Sequence, residues 1–117
     1  MAGDDAPPEV RRLVRRAVGM LAAGEFHELE RWTGGRRLSA EDMAQVLERY
    51  EVLPVLPTDE ELFAETDFYD VSGDGSAYHV ETNLWSDHGV TDLQLRLDIA
   101  ETTPGHYSVE VNDLLIP

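Results

Sequence analysis

The sequence predicts a single α+β domain in which about three N-terminal helices pack on one face of a curved antiparallel sheet of about four strands. Apolar residues recur at helical spacing up to about residue 50 and alternate with polar ones from about residue 66. The 117 residues have the size of one domain, so residues 1–117 are assigned to it as a whole. The Asp- and Pro-rich residues 1–8 are expected to be flexible.

Three segments of the first half have the apolar spacing of helices. The first spans about Pro8 to Ala23, and Gly24 suits the position after its end. A second, shorter helix ends at Gly34-Gly35. The third has Ser39 as N-cap and Asp42 three residues later, a variant of the capping box. The residues expected to face inward are Val10, Leu13, Val14, Ala17, Leu21, Phe26, Leu29, Trp32, Met43, Val46, Leu47 and Tyr50.

The second half has the two-residue period of strands that are buried on one face. A weaker strand lies around Thr66 to Val71, and short turns at 86–89 and 102–105 separate three more, which favours an antiparallel meander. The inward side chains are Tyr78, Val80, Thr82, Leu84, Leu93, Leu95, Leu97, Ile99, Tyr107, Val109 and Val111. The opposite face would carry His79, Glu81, Asn83, Trp85, Asp92, Gln94, Arg96, Asp98, Ser108, Glu110 and Asn112.

Charge is distributed unevenly between the two halves. All nine basic residues are arginine; residues 1–49 have a net charge of −1 and residues 50–117 a net charge of −14. An acidic surface repels phosphate backbones and anionic lipid and favours a basic partner, so neither nucleic acid nor membrane is expected as a partner. Without cysteine, signal peptide or apolar span, the chain is expected to be cytoplasmic. The arginine-only usage is typical of bacteria with high-GC genomes.

The turn before the third predicted helix is a candidate anion site. Gly34, Gly35, Arg36 and Arg37 lead into a helix N-terminus, where free N–H groups and two guanidinium groups could hold an anion. The alternative is that the glycines only end the preceding helix while the arginines pair with the acidic half. The Walker spacing is absent, which favours this alternative.

The segment from Asp70 to Glu81 has the ligand spacing of a Ca²⁺ loop, with Asp70, Ser72, Asp74 and Glu81 at positions 1, 3, 5 and 12. A second loop is absent and the segment continues as a strand. A hairpin turn with an acidic tip is therefore the favoured interpretation, and no metal or other cofactor is expected.

Two histidine–glutamate pairs could provide acid–base chemistry if their strands were adjacent. His79 and Glu81 share one strand face, and His106 and Glu110 share another. Strand adjacency does not follow from the sequence, and known catalytic fingerprints are absent, so an enzyme is not favoured and no catalytic residue is assigned.

The helices, the segment Leu21-Ala-Ala-Gly24-Glu-Phe-His-Glu-Leu29 and the meander together resemble NTF2-like and cystatin-like α+β folds. The run Trp32 to Met43, with Asn83-Leu-Trp85 and Asp92-Leu-Gln-Leu95, resembles a family of short uncharacterised bacterial proteins over about residues 10–116. The resemblance implies the fold and a bacterial origin, but no activity.

The leading functional hypothesis is a non-enzymatic protein-interaction domain that presents its acidic sheet face to a second copy or to a basic partner, such as a toxin bound by an acidic antidote. Trp85 is the expected apolar anchor. The interaction residues are predicted to be Glu81, Asn83, Trp85, Asp92, Arg96 and Glu110. The alternative is a small-ligand-binding domain or enzyme with an NTF2-like pocket lined by Trp32, Tyr50, Tyr69 and Tyr107.

Overall fold

The computed structural model describes residues 6–117 and contains an N-terminal helical layer followed by an antiparallel sheet. The helices are α1 (Pro8–Ala22), α2 (Phe26–Thr33), α3 (Ala40–Arg49) and α4 (Asp59–Ala64). The strands are β1 (Thr66–Asp70), β2 (Ala77–Ser86), β3 (Gly89–Thr103) and β4 (His106–Leu115). The predicted α+β fold class is confirmed. Residues 1–5 of the segment expected to be flexible lie outside the described residues, whereas Ala6 is buried and Pro8 already begins α1.

Local sequence signals explain where the helices begin and end. Ser39 caps α3 in a complete capping box with Asp42, as predicted. Thr58 and Glu61 form a second capping box at the start of α4, which explains why this six-residue helix forms beside two prolines. Gly34 ends α2 in the left-handed conformation, with φ of 85°.

The sheet is an open four-stranded meander in the order β1-β2-β3-β4. All three strand pairs are antiparallel, and register shifts interrupt the ladder between Asn83 and Trp85, between Arg96 and Leu97 and between Glu101 and Thr103. A bulge inserts an extra residue into one strand, so side chains that strict alternation would place on opposite faces can lie on the same face. The predicted meander is present, but its strand pairing is irregular at these three positions.

One face of the sheet packs on the helices and forms the core. Side chains from all four strands and all four helices are excluded from solvent there. The other sheet face carries polar residues and is only partly buried. Among residues 6–117, no helix combines the length and apolar character needed to cross a membrane.

Candidate functional site

The strand register arranges the polar face of the sheet in transverse rows, and we call this surface the open face. One row contains Tyr69, His79, Asp98 and Glu110. The next row contains Asp67, Glu81, Arg96 and Asp113. Carboxylates outnumber cations in both rows, so the open face is a negatively charged surface.

The side chains of the open face form a continuous polar network. Asn112 Nδ2 donates to Asp98 Oδ2 over 2.7 Å, and Asp98 Oδ1 lies 2.9 Å from His79 Nδ1. His79 Nε2 lies 3.0 Å from Glu81 Oε2, which in turn lies 3.6 Å from Arg96 Nε. Arg96 Nε also donates to Gln94 Oε1, and Gln94 Nε2 donates to Asn83 Oδ1. The network therefore joins, in order, Asn83, Gln94, Arg96, Glu81, His79, Asp98 and Asn112. Side chains linked in this way are held in place before any partner binds.

His79 is the centre of this network and its titration is shifted by the two carboxylates. Burial is the largest influence and lowers the pKa of His79, but hydrogen bonds and charge from Asp98 and Glu81 together outweigh it. The pKa of His79 is therefore raised above its ordinary value of 6.5. The charge of the open face becomes less negative when His79 takes up a proton.

Trp85 lies at the end of the open face but is not left in water. Its side chain is partly buried, and its backbone oxygen accepts a 2.8 Å hydrogen bond from the Val55 N–H. Its indole Nε1 is enclosed, with no hydrogen-bond partner among the described residues. Trp85, the predicted apolar anchor, is partly buried within the chain itself, where the segment between α3 and α4 crosses the end of β2 at Val55.

The other predicted interaction residues lie in the network or beside it. Asn83 and Arg96 belong to the network, whereas Asp92 is exposed on β3 outside it. Glu110 lies on β4, and its Oε1 is 3.7 Å from Arg37 Nε. The open face therefore continues around β4 to the arginines of the α2–α3 turn.

The N-terminus of α3 already holds a carboxylate from the chain itself. The Ala40 N–H donates to Glu30 Oε1 over 2.6 Å, and the Ser39 and Asp42 N–H groups bond within the capping box. These amides are not free for an external anion at the predicted Gly34, Gly35, Arg36 and Arg37 site. Arg36 is exposed, and no ion pair holds its guanidinium within residues 6–117.

The four aromatic residues expected to line one pocket lie in three places. Tyr50 is exposed at the end of α3, and Tyr69 lies beside His79 on the open face with ring centroids 6.2 Å apart. Only Trp32 and Tyr107 line the same pocket, an open cavity of about 410 Å³ between α2 and β4. The Arg16 guanidinium lies over the Trp32 ring, 4.1 Å from its centroid.

The segment with calcium-loop spacing is a turn closed by its own carboxylates. Asp70 Oδ1 accepts from the Ser72 hydroxyl and from the Ser72 and Gly73 N–H groups, and Asp74 Oδ1 accepts from Ser76. These hydrogen bonds, that from the Ser72 side chain first, lower the pKa of Asp70 below 3.8. Glu81 is bonded to His79 on the open face. No metal-binding group of three ligands occurs in the described part of the chain.

The histidines behave differently from one another. His79 bonds to Glu81 and also to Asp98, a partner that the sequence analysis placed on the same face but did not assign to the site. His106 is exposed at the start of β4, so the second predicted pair with Glu110 is not part of the network. Asn112 shares this face by alternation but was missed as a network member, because only the register of β3 and β4 shows that it lies beside Asp98.

The chain belongs to a family defined by a domain of unknown function, DUF7668, whose model matches residues 18–117. The matched region begins within α1 and contains the whole sheet, including every member of the open-face network. No curated protein and no solved structure matched the chain.

Proposed function

We propose that this chain is a non-enzymatic protein-interaction domain that binds a basic partner on the open face of its sheet. The single observation that carries the proposal is the polar network from Asn83 to Asn112, which lies on the sheet face that the helices leave uncovered. An extended surface of fixed carboxylates suits the guanidinium and ammonium groups of a protein better than it suits a small substrate.

The distribution of charge supports a basic partner over a second copy of the chain. Asp67, Glu81, Asp98 and Asp113 occupy the two central rows, against Arg96 and a histidine. Two such faces would repel each other, whereas a basic surface would be attracted and its encounter accelerated. An antidote bound to a basic toxin is one relationship of this kind.

The packing between the two layers supports an interaction surface over an enclosed catalytic pocket. Side chains that would line such a pocket, including Val14, Leu29, Met43, Leu95 and Leu97, are at 0% exposure and pack in one core. A core filled to this extent leaves the chemistry of the molecule on its surface.

The proposal also includes the ancestry of the fold, the origin of the chain and its location in the cell. We infer an NTF2-like ancestry from the order of helices and meander, although the sheet here is open. A bacterial origin is supported by the use of arginine in place of lysine. A cytoplasmic location is supported by the lack of cysteine, since secreted domains of this size commonly rely on disulfides.

A charge-matched pair of variants tests the proposal with deca-arginine as the probe. Asp67→Asn/Glu81→Gln/Asp98→Asn neutralises the open face, and Glu41→Gln/Glu48→Gln/Glu60→Gln removes the same charge from the helical side. We expect calorimetry to show at least about tenfold weaker binding only for the first variant, and binding by the unmodified chain to fall steeply with salt. Equal effects of both variants would contradict the proposal.

Sedimentation separates the two versions of the interaction. A homodimer through the open face must bring like charges together, so its association would strengthen as salt screens the repulsion. Binding to a basic partner has the opposite salt dependence. Self-association that strengthens with salt and is altered by the open-face variant would favour the homodimer and reject the basic partner.

A further inference from the structure

A pocket between α2 and β4 combines aromatic rings with arginine side chains. It has a volume of about 410 Å³ and lies on the helical side of β4, away from the centre of the open face. The lining residues are Arg31, Trp32, Thr33, Gly34, Arg36, Tyr107, Ser108, Val109 and Glu110. Pockets that bind small molecules have this composition, with aromatic walls and a few polar groups that fix orientation.

The aromatic wall consists of Trp32 and Tyr107. Arg16 stacks on Trp32 at 4.1 Å but is not among the lining residues, so it supports the ring from outside the pocket. Both aromatic side chains are partly buried, which leaves part of each ring accessible. Such walls favour a flat, unsaturated ligand that can stack on or lie edge-on against them.

The arginine side chains of the pocket leave positive charge available for a ligand, in a chain in which acidic residues are in excess. Arg36 has no ion-pair partner among the described residues, and Arg31 has only an exposed contact of 3.5 Å with Glu28. Glu110 is the acidic group of the lining, and Arg37 lies 3.7 Å from it. In a chain with a net charge of −15, the unpaired guanidinium group of Arg36 and the weakly paired one of Arg31 beside an aromatic wall favour an anionic ligand.

We propose that this pocket binds a planar aromatic molecule bearing a carboxylate or phosphate group, with the ring against Trp32 and Tyr107 and the anionic group against Arg31 and Arg36. The Tyr107 hydroxyl adds a hydrogen-bond donor to the lining. Burial first, and the charges of Glu101 and Glu9 second, raise the pKa of Tyr107 above 10.0, so the phenol keeps its proton. This site goes beyond the interaction surface of the open face.

Calorimetry on the unmodified chain tests the ligand class with four probes. Adenosine 5′-monophosphate and 2-naphthoate carry both a ring and an anionic group, adenosine lacks the anion, and inorganic phosphate lacks the ring. We expect saturable binding of one or both aromatic anions, and at least about tenfold weaker binding of the other two probes. Failure of both to saturate by ~10 mM would overturn the proposal.

Three single variants locate the site. Arg36→Gln should weaken binding of the aromatic anion about tenfold or more, because it removes a charge-assisted hydrogen bond. Glu110→Gln should strengthen binding, because it removes a repelling carboxylate from the lining. Arg49→Gln, at the far end of α3, is the matched control and should change nothing. Equal weakening by Arg36→Gln and Arg49→Gln would show non-specific attraction and reject the site.

Fluorescence gives a second readout that does not depend on heat. The chain has two tryptophans, so Trp85→Phe leaves Trp32 as the single tryptophan, which is excited selectively at wavelengths beyond tyrosine absorption. Saturable quenching or a shift of Trp32 emission by the aromatic anion is expected, and unchanged emission at saturation would place the ligand elsewhere. Deca-arginine binding should be unaffected by Arg36→Gln, so this proposal and that for the open face can fail separately.

Discussion

His79 and Asp98 face each other across β2 and β3, with His79 Nδ1 2.9 Å from Asp98 Oδ1. On the other side of the ring, Glu81 Oε2 lies 3.0 Å from His79 Nε2. An imidazolium donates from both nitrogens, so this arrangement between two carboxylates favours the protonated ring.

The first prediction concerns the pKa of His79. NMR titration should show a value above 6.5, with the resonance assigned by its loss in His79→Gln. Asp98→Asn should lower the pKa of His79. The amide carries no negative charge, and its NH2 group replaces one of the two carboxylate oxygens that can accept a hydrogen bond. An ordinary or lowered pKa in the unmodified chain would show that burial outweighs the carboxylates.

The second prediction follows from linkage between this pKa and folding. Because the folded pKa is raised, the stability that protonated His79 contributes is fully present below the unfolded pKa and is lost as pH rises through the folded pKa. The free energy of unfolding lost in His79→Gln should therefore be larger at about pH 5.5 than at about pH 8.5. Urea unfolding at both pH values measures it, and a larger loss at the higher pH would reverse the argument.

Alternation in the sequence predicts which residues share the open face, but it does not predict which of their side chains are in contact. The period of two in β2 and β3 predicts that His79, Glu81, Arg96 and Asp98 share a face. Which of them touch depends on the register, and the register depends on turn lengths and on bulges that sequence patterns do not locate. The contact between Asn112 and Asp98 is diagonal, because the register pairs Asp98 with Glu110, two residues before Asn112.

The turn before α3 illustrates a second limit. The capping box at Ser39 is readable because its two partners are three residues apart. Glu30 binds the Ala40 N–H from ten residues away, across two glycines with positive φ. A contact of that kind depends on how two helices meet, so the sequence left a free helix N-terminus open as the less favoured alternative, where the chain in fact supplies its own anion.

The third prediction uses the two glycines of that turn as a matched pair. Gly34 has φ of 85° and nothing within 4 Å of an added Cβ, so Gly34→Ala should cost about 1 kcal/mol of stability from backbone strain alone. Gly35 has φ of 61°, and its Cβ would lie 2.7 Å from Glu30 Cγ. Gly35→Ala should cost at least about 1 kcal/mol more, because moving Glu30 breaks its hydrogen bond to Ala40.

The control for this pair is Glu30→Ala. In that background the clash is removed, and Gly35→Ala should cost about as much as Gly34→Ala when both are measured by urea unfolding. If Gly35→Ala keeps its extra cost without the Glu30 side chain, the turn is constrained by something other than Glu30.

The fourth prediction concerns the buried hydroxyl pair of Thr66 and Thr82, whose oxygens are 2.6 Å apart. Thr66 Oγ1 donates to the Leu62 carbonyl over 2.7 Å, so the proton between the hydroxyls belongs to Thr82. Thr82→Val removes that donor and leaves Thr66 paired, at a cost under about 1 kcal/mol. Thr66→Val strands the Thr82 hydroxyl at 0% exposure and should cost about 1–3 kcal/mol.

The double variant tests the direction of that hydrogen bond. Removing both hydroxyls leaves no buried donor without an acceptor, so Thr66→Val/Thr82→Val should be more stable than Thr66→Val alone. Thermal and urea unfolding give the three free energies. Additive costs would show that the two hydroxyls do not depend on each other.

The fifth prediction separates the two roles of Trp85, its bulk and its N–H group. The side chain is partly buried where the Val55–Trp85 bridge crosses β2, so Trp85→Ala should lower the free energy of unfolding by about 2 kcal/mol. The enclosed Nε1 has no hydrogen-bond partner within residues 6–117. Trp85→Phe removes an unpaired buried donor while keeping an aromatic ring, so it should cost less than about 1 kcal/mol or stabilise the fold.

Sedimentation run beside the unfolding curves distinguishes a structural Trp85 from an interface anchor. A structural residue changes stability and leaves the association state alone, and here Trp85→Phe should behave like the unmodified chain in both measurements. An anchor loses partner binding by about 2 kcal/mol in Trp85→Ala with little change in the free energy of unfolding. The bridge to Val55 and the enclosed indole nitrogen lead us to expect the first pattern for the isolated chain, with deca-arginine binding governed by the carboxylates of the open face. A loss of stability in Trp85→Phe larger than the lost ring volume accounts for would contradict the assignment of the indole nitrogen as an unsatisfied donor.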